Sequence, residues 1–224
     1  MFPVRDNLKS DEKPYVTYTL VALNVAIYLW DRNGFPFGPG AVFSDLAMRP
    51  NDVVQAIKGG NYHPLITLFT CMFLHGSLAH ILGNMIFLLV FGTNVEHALG
   101  GLRFAVLYLL WGLFASAAHI FVDPQSAVPT LGASGAIGGI LGCYLLLFPA
   151  NRVTIWIIFY ETVLPAWLLL GLWFLWQVFL PQEGVANWAH AGGFVAGMLS
   201  VLLLGGRQKV LKESSLEEDP EYEE

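Results

Sequence analysis

The chain has 224 residues, of which 55% are hydrophobic and 28 are charged: 11 Lys and Arg against 17 Asp and Glu. The charged share, 12%, is about half that of an ordinary soluble domain, and the 148 residues between Lys58 and Arg207 carry six charges, Glu96, Arg103, Asp123, Arg152, Glu161 and Glu183. These numbers exclude a water-soluble globular domain, a disordered chain and a nucleic-acid binder, which needs a basic patch, and leave a polytopic helical membrane protein.

Residues 1–14 form a polar segment with Arg5, Lys9 and Lys13. The first apolar run, 15–30, ends in Trp30-Asp31-Arg32-Asn33 without a small-residue cleavage site, so it is expected to be a retained span. The linker 31–63 is rich in Gly and Pro, and its Phe35, Phe37 and Phe43 are expected to dip into the membrane interface. Runs at 64–91, 102–122, 131–150, 153–180 and 185–205 bring the candidate spans to six. The fifth is too long for a perpendicular helix; its first turns are expected along the interface, with the spanning part beginning near Pro165. No seventh span is expected after Leu204. Cys71 and Cys143 lie inside apolar runs and read as small core residues.

Residues 213–224 hold seven acids and no base, which accounts for the net charge of −6, since the remainder sums to +1. This tail is expected to be a solvated, disordered end. The expected architecture is therefore all-α: a cytoplasmic segment 1–14, a six-transmembrane-helix domain 15–205 in the lipid bilayer, and an acidic cytoplasmic tail 206–224. With the N-terminus inside, inner segments hold eight Lys and Arg and outer segments three (Arg32, Arg49 and Lys58). That asymmetry places both termini in the cytoplasm of a plasma-membrane protein.

Polar side chains are costly inside a membrane, so those present need a reason. In the second run, His80 and Asn84 are four apart and share a helix face, able to donate to one acceptor. His75 is expected to cap the helix or face water. The fourth run opens Gly132-Ala133-Ser134-Gly135, which lets another backbone approach the Ser134 hydroxyl, although Gly135 and Gly139 also read as a helix-packing pair. In the sixth, His190 precedes Gly193 and Gly197, whose contact with Gly135 or Gly139 would bring it beside Ser134. Glu96 reads as a structural anchor at the inner side.

His80-x-x-x-Asn84, Gly132-Ala133-Ser134-Gly135 and Ala189-His190-x-x-Gly193-x-x-x-Gly197, in that order on hydrophobic runs, resemble the rhomboid family of intramembrane serine proteases. The resemblance covers about residues 60–205. It implies a six-helix bundle with a water-filled site below the outer surface, cleaving transmembrane segments of other membrane proteins. By position, Ser134 resembles the nucleophile and His190 its general base. His80, Asn84 and the Ser134 amide resemble the oxyanion hole, and Glu96 the acid that many members carry after the second span. Two family features are absent. The Tyr that many rhomboids place four residues after the nucleophile, against the base, is Gly138 here. There is no Trp-Arg pair in the first loop, where Arg49 is the nearest candidate.

With no Asp or Glu in the fourth or sixth run, the implied chemistry is a two-residue one: a weak hydroxyl nucleophile activated by an adjacent imidazole. His75, His80, Asn84 and Asn187 are expected to make the outer end polar, and Pro181-Gln182-Glu183-Gly184 to cap it. Two other readings stand beside this one. The first is a non-catalytic binding protein of the same fold; the second is a small channel or transporter using His75, His80 and His190 as a proton path. No metal or nucleotide cofactor is expected, because no Cys/His ligand cluster or phosphate-binding loop appears. Nor is nucleic acid expected as a partner.

Overall fold

The computed structural model describes residues 2–9, 12–38, 44–157, 160–180, 182, 184–212, 214 and 217–218. Two short strands, β1 (Phe2–Asp6) and β2 (Leu8–Lys9), precede helix α1 (Tyr15–Asp31). Helix α2 (Pro50–Gly59) lies in the long linker and is followed by the short, partly 3-10 helix α3 (His63–Phe73). Then come α4 (Leu78–Leu99), α5 (Gly101–Val122) and α6 (Ser134–Leu147). Strands β3 (Arg152–Ile157) and β4 (Tyr160–Pro165) lead into α7 (Ala166–Phe179), α8 (Asn187–Leu203), α9 (Arg207–Lys212) and a last strand β5 (Glu217–Glu218). Helices α4 and α5 are each long and apolar enough to cross a membrane by length and composition.

Two of the six apolar runs fold differently from expectation. The second is divided. Leu74 is extended (φ −93°, ψ 146°) and ends α3. Ser77, also extended, starts α4, its Oγ accepting the His80 N–H at 3.1 Å. A serine N-cap satisfies one of the donors that a helix start leaves orphaned. Helix α4 then runs past residue 91 to Leu99, through a π turn at Leu88–Gly92. The fifth run begins as a hairpin. Its β-branched and aromatic residues Val153, Thr154, Ile155 and Trp156 suit a strand, and β3 pairs antiparallel with both β1 and β4. Helix α7 starts directly after Pro165, as expected. The all-α expectation thus gives way to a mostly helical fold with a three-stranded sheet, ordered β1-β3-β4, and a two-stranded one joining β2 to β5.

That second pairing sets Leu8 opposite Glu218 and Lys9 opposite Glu217, so this part of the acidic tail is strand and not disordered. Most of residues 213–224, and Phe43, Pro181 and Glu183, lie outside the described residues. Cys71 and Cys143 are free and buried.

The most extensive helix packing is that of α6 with α8, and α5 packs against both. A Cβ at Gly193 would collide with the Gly135 carbonyl, and one at Gly197 with the Gly139 carbonyl, as the glycine spacing predicts. Gly142 abuts the Phe194 carbonyl in the same way, and a Cβ at Gly138 would sit 2.7 Å from the His190 carbonyl oxygen. The two backbones therefore touch without intervening side chains, as small residues allow.

Two acids fasten the opposite end. The Glu96 carboxylate accepts the Val16 and Thr17 N–H groups at 2.9 and 2.7 Å. It caps α1, whose own N-cap residue, Pro14, makes no side-chain cap, and the anion complements the helix dipole. Asp6 of β1 accepts from Tyr144 Oη of α6, from Asn94 Nδ2 of α4 at 2.6 Å and from the Leu8 N–H at 3.3 Å. Burial outweighs these bonds and raises the Asp6 carboxyl from 3.8 to about 6.

An acid raised in this way holds its proton more tightly in the fold than in the unfolded chain. Its contribution is fully present below pH 3.8 and is lost as pH rises through about 6. A shift of this size corresponds to about 3 kcal/mol. Asp6→Asn is therefore expected to gain stability relative to the parent between pH 4 and 7, read as the difference in thermal unfolding midpoints in detergent; parallel curves would contradict it. The glycine contact predicts that Gly197→Ala loses at least about 1–3 kcal/mol through overpacking. Gly138→Tyr is expected to destabilise more, and an unchanged midpoint in either variant would mean that α6 and α8 do not touch this way.

Candidate active site

Ser134 is the first residue of α6, so its backbone N–H is among those a helix start leaves without an intrahelical acceptor. The glycine contact carries α8 against this helix and brings His190 beside it. His190 Nε2 lies 2.7 Å from Ser134 Oγ. Both side chains are half-buried and line a cavity of about 430 Å³ with His80 and Asn84.

The four expected site residues are thus gathered in one cavity. His80 and Asn84 come from the first two turns of α4, on the face toward α6. A Cβ at Gly132 would sit 2.7 Å from His80 Nε2 and 3.5 Å from Ser134 Oγ, so imidazole and hydroxyl flank the same small space. Gly132 can leave that space open because it adopts φ +126°, where a side chain is rarely tolerated. Asn84 lines the cavity and is buried, and its Nδ2 has no hydrogen-bond partner among the described residues. Among the described residues, no group of three or more His, Cys, Asp and Glu could hold a metal ion.

Two expected residues stand elsewhere. His75 neither caps a helix nor faces water. It is 3% exposed, edge-on to the His80 ring at 5.1 Å between centroids. Asn187 does not line the cavity but lies buried behind His190. Its Nδ2 donates to Gln177 Oε1 at 3.1 Å, and its Oδ1 accepts the Gln182 N–H at 3.1 Å.

Three further residues, Gln177, Trp173 and Arg32, complete the surroundings of the site. Gln177 Oε1 lies 2.8 Å from His190 Nδ1, and the Trp173 ring lies 6.0 Å from the imidazole, tilted by 30°. These two α7 side chains support the ring, and at Gly138 the α8 backbone fills the room that a Tyr would take. Arg32, not Arg49, anchors the turn before α4. It is 4% exposed, its guanidinium 4.0 Å over the Tyr28 ring, donating to Asp31 Oδ2 at 2.8 Å and to the Gly76 carbonyl at 2.9 Å. The signal for Gln177 was present: a lone carboxamide in an apolar helix needs a partner.

Residues 62–207 match the rhomboid domain. The chain is 38% identical over 141 residues to RHOMBOID-like protein 5 of Arabidopsis thaliana, covering 61% of this chain and 44% of that protein. Rhomboid protease GluP of Bacillus subtilis (strain 168) is 29% identical over 197 residues, 86% of this chain and 35% of that one. RHOMBOID-like protein 12, mitochondrial, of Arabidopsis thaliana is 31% identical over 174 residues, 68% of this chain and 50% of that one. The chain therefore spans half or less of the length of these relatives. The domain match takes in His80, Asn84, Ser134 and His190 together with the helices that carry them, and by it this membrane protein belongs to the rhomboid family.

Proposed function

We propose that the chain is an intramembrane serine endopeptidase that cleaves transmembrane segments of other membrane proteins. The observation that carries this reading is the 2.7 Å approach of His190 Nε2 to Ser134 Oγ inside the cavity. Helices α1, α4, α5, α6, α7 and α8 are the six spans of the proposed membrane domain, residues 15–205. The pairing of residues 8–9 with 217–218 supports placing the 1–14 and 206–224 segments on one side, which the Lys and Arg distribution makes the cytoplasm, with a plasma membrane as the site.

In the proposed reaction, Ser134 Oγ attacks the scissile carbonyl carbon while its proton passes to His190 Nε2. The carbonyl oxygen becomes an oxyanion and takes hydrogen bonds from Asn84 Nδ2, the His80 ring and the Ser134 N–H. Each such donor is worth about 2.7–4 kcal/mol in acyl transfer. The tetrahedral carbon then collapses, and the leaving amine takes the proton from His190. Water attacks the ester, giving up its proton to His190 Nε2, and the acid leaves as Ser134 Oγ regains a proton.

A helical substrate hides its peptide bonds in its own ladder and must unwind to present one. Substrates with Gly or Pro in the span and a small residue at the cleavage point are therefore favoured. Access is sideways, past α7. Gln182, Gly184 and Val185 line the cavity and fit the role of a cap.

Two experiments test the reading in proteoliposomes with a reporter membrane substrate. Ser134→Ala should abolish both cleavage and labelling by a fluorophosphonate, and His190→Ala should cut turnover on the order of 10⁴-fold or more. Undiminished cleavage in Ser134→Ala would remove the serine mechanism. Absence of labelling in the parent protein would favour a binding protein or channel. His80→Ala and Asn84→Ala should each lower kcat roughly 10²–10³-fold with little change in KM, as groups that act on the oxyanion do; a rise in KM at constant kcat would assign them to substrate binding instead.

A further inference from the structure

Hydrogen positions along the chain of side chains behind His190 follow from one backbone group. The Gln182 N–H can only donate, so the Asn187 atom facing it at 3.1 Å is the carboxamide oxygen. The other end of Asn187 is then its NH₂ group, which donates to Gln177 at 3.1 Å and fixes the Gln177 atom there as oxygen. That same oxygen faces His190 Nδ1 at 2.8 Å. Two lone pairs at this separation repel, so Nδ1 carries the hydrogen. A neutral imidazole protonated at Nδ1 has its lone pair on Nε2, which is the atom facing Ser134 Oγ.

Gln177 is also unusual in its helix. Ala166, Leu170 and Gln177 are the buried residues of α7, whereas Trp167, Leu172, Leu175, Trp176 and Phe179 are exposed apolar side chains. A carboxamide on a helix this apolar is costly unless both its neighbours are in place.

We propose that Gln177 is a positioning residue. It receives its orientation from the Gln182 amide through Asn187 and holds His190 as the Nδ1–H tautomer that can accept the Ser134 proton. The inference rests on the proposed serine-protease reading, and it assigns the ring's support to a neutral acceptor on α7 in place of a carboxylate or of a Tyr at position 138. It also makes the base correct only while α7 and the Gln182 amide stay in place beside Asn187 and His190 of α8. A substrate passing α7 thereby acts on the tautomer of the base.

Histidine-labelled protein in lipid nanodiscs, read by ¹⁵N NMR with the His190 resonances assigned through His190→Ala, tests this directly. The parent protein should show His190 protonated at Nδ1 and bare at Nε2. In Gln177→Leu the ring should move toward the Nε2–H form, and kcat on the reporter substrate should fall on the order of 10²-fold with KM within about twofold. That loss is smaller than the ~10⁴-fold seen where a charged partner of a catalytic base is replaced. Gln177→Glu keeps the acceptor and should keep the Nδ1–H signal and turnover within about tenfold. A parent spectrum of the Nε2–H form overturns the inference, as does a Gln177→Leu spectrum identical to the parent's. The spectrum of the parent and of Gln177→Glu decides the matter if Gln177→Leu does not fold. None of the NMR readouts needs proteolysis, so an unlabelled Ser134 would sink the protease reading alone and leave the tautomer measured.

Discussion

The arrangement depends on a backbone contact between two helices that carry glycine where they meet. Gly135 and Gly139 of α6 face Gly193 and Gly197 of α8 at a separation that leaves no room for a methyl group. Apolar side chains gain little by leaving lipid for one another, so helices in a membrane associate through close packing, and small residues provide it. The same contact assembles the candidate site. Ser134 lies one residue before the first of these glycines and His190 three before Gly193, so bringing the backbones together brings hydroxyl and imidazole to hydrogen-bonding distance across 56 positions of sequence.

The residues of the candidate site were legible because the surrounding composition makes them expensive. His80, Asn84, Ser134 and His190 interrupt runs that are otherwise apolar, and their spacing on helices gives each a face. Gln177 is equally expensive, but it sits in a run whose length, Glu161 and Pro165 are the stronger signals. Its partner Asn187 is legible as a polar residue at the outer end but not as one behind His190, because nothing in a linear sequence tells the front of an imidazole from its back. Arg32 was equally hidden. Its role depends on a turn at Gly76, more than forty residues away, and local pattern carries no trace of that.

The fold was legible at the level of which runs become helix and less so at their ends. Residues 64–91 carry no charge and look continuous, yet Ser77 restarts the helix by capping it. Residues 153–157 are apolar enough to extend a span, and they become strand because β1 offers them a partner from the far end of the chain. Hydropathy measures solvent preference, and a strand edge and a helix face can be equally apolar. The long-range acids belong to the same class. Glu96 could be read as an anchor, but its partners, the first amides of α1, could not be named in advance.

The π turn at Leu88–Gly92 sits between two functions of one helix. Asn84, before it, faces the cavity; Glu96, after it, grips the start of α1. On an uninterrupted α-helix, residues with this separation would point about 120° apart, at about 100° per residue. A π turn accommodates roughly one extra residue, which brings the two to within about 20° of a common direction. The turn therefore sets the phase between the halves of α4. A one-residue deletion there would leave the helix's hydropathy and nearly all its length intact, yet rotate the carboxylate away from α1 or the carboxamide away from the cavity. The wide turn lets a single rod serve both ends of the bundle.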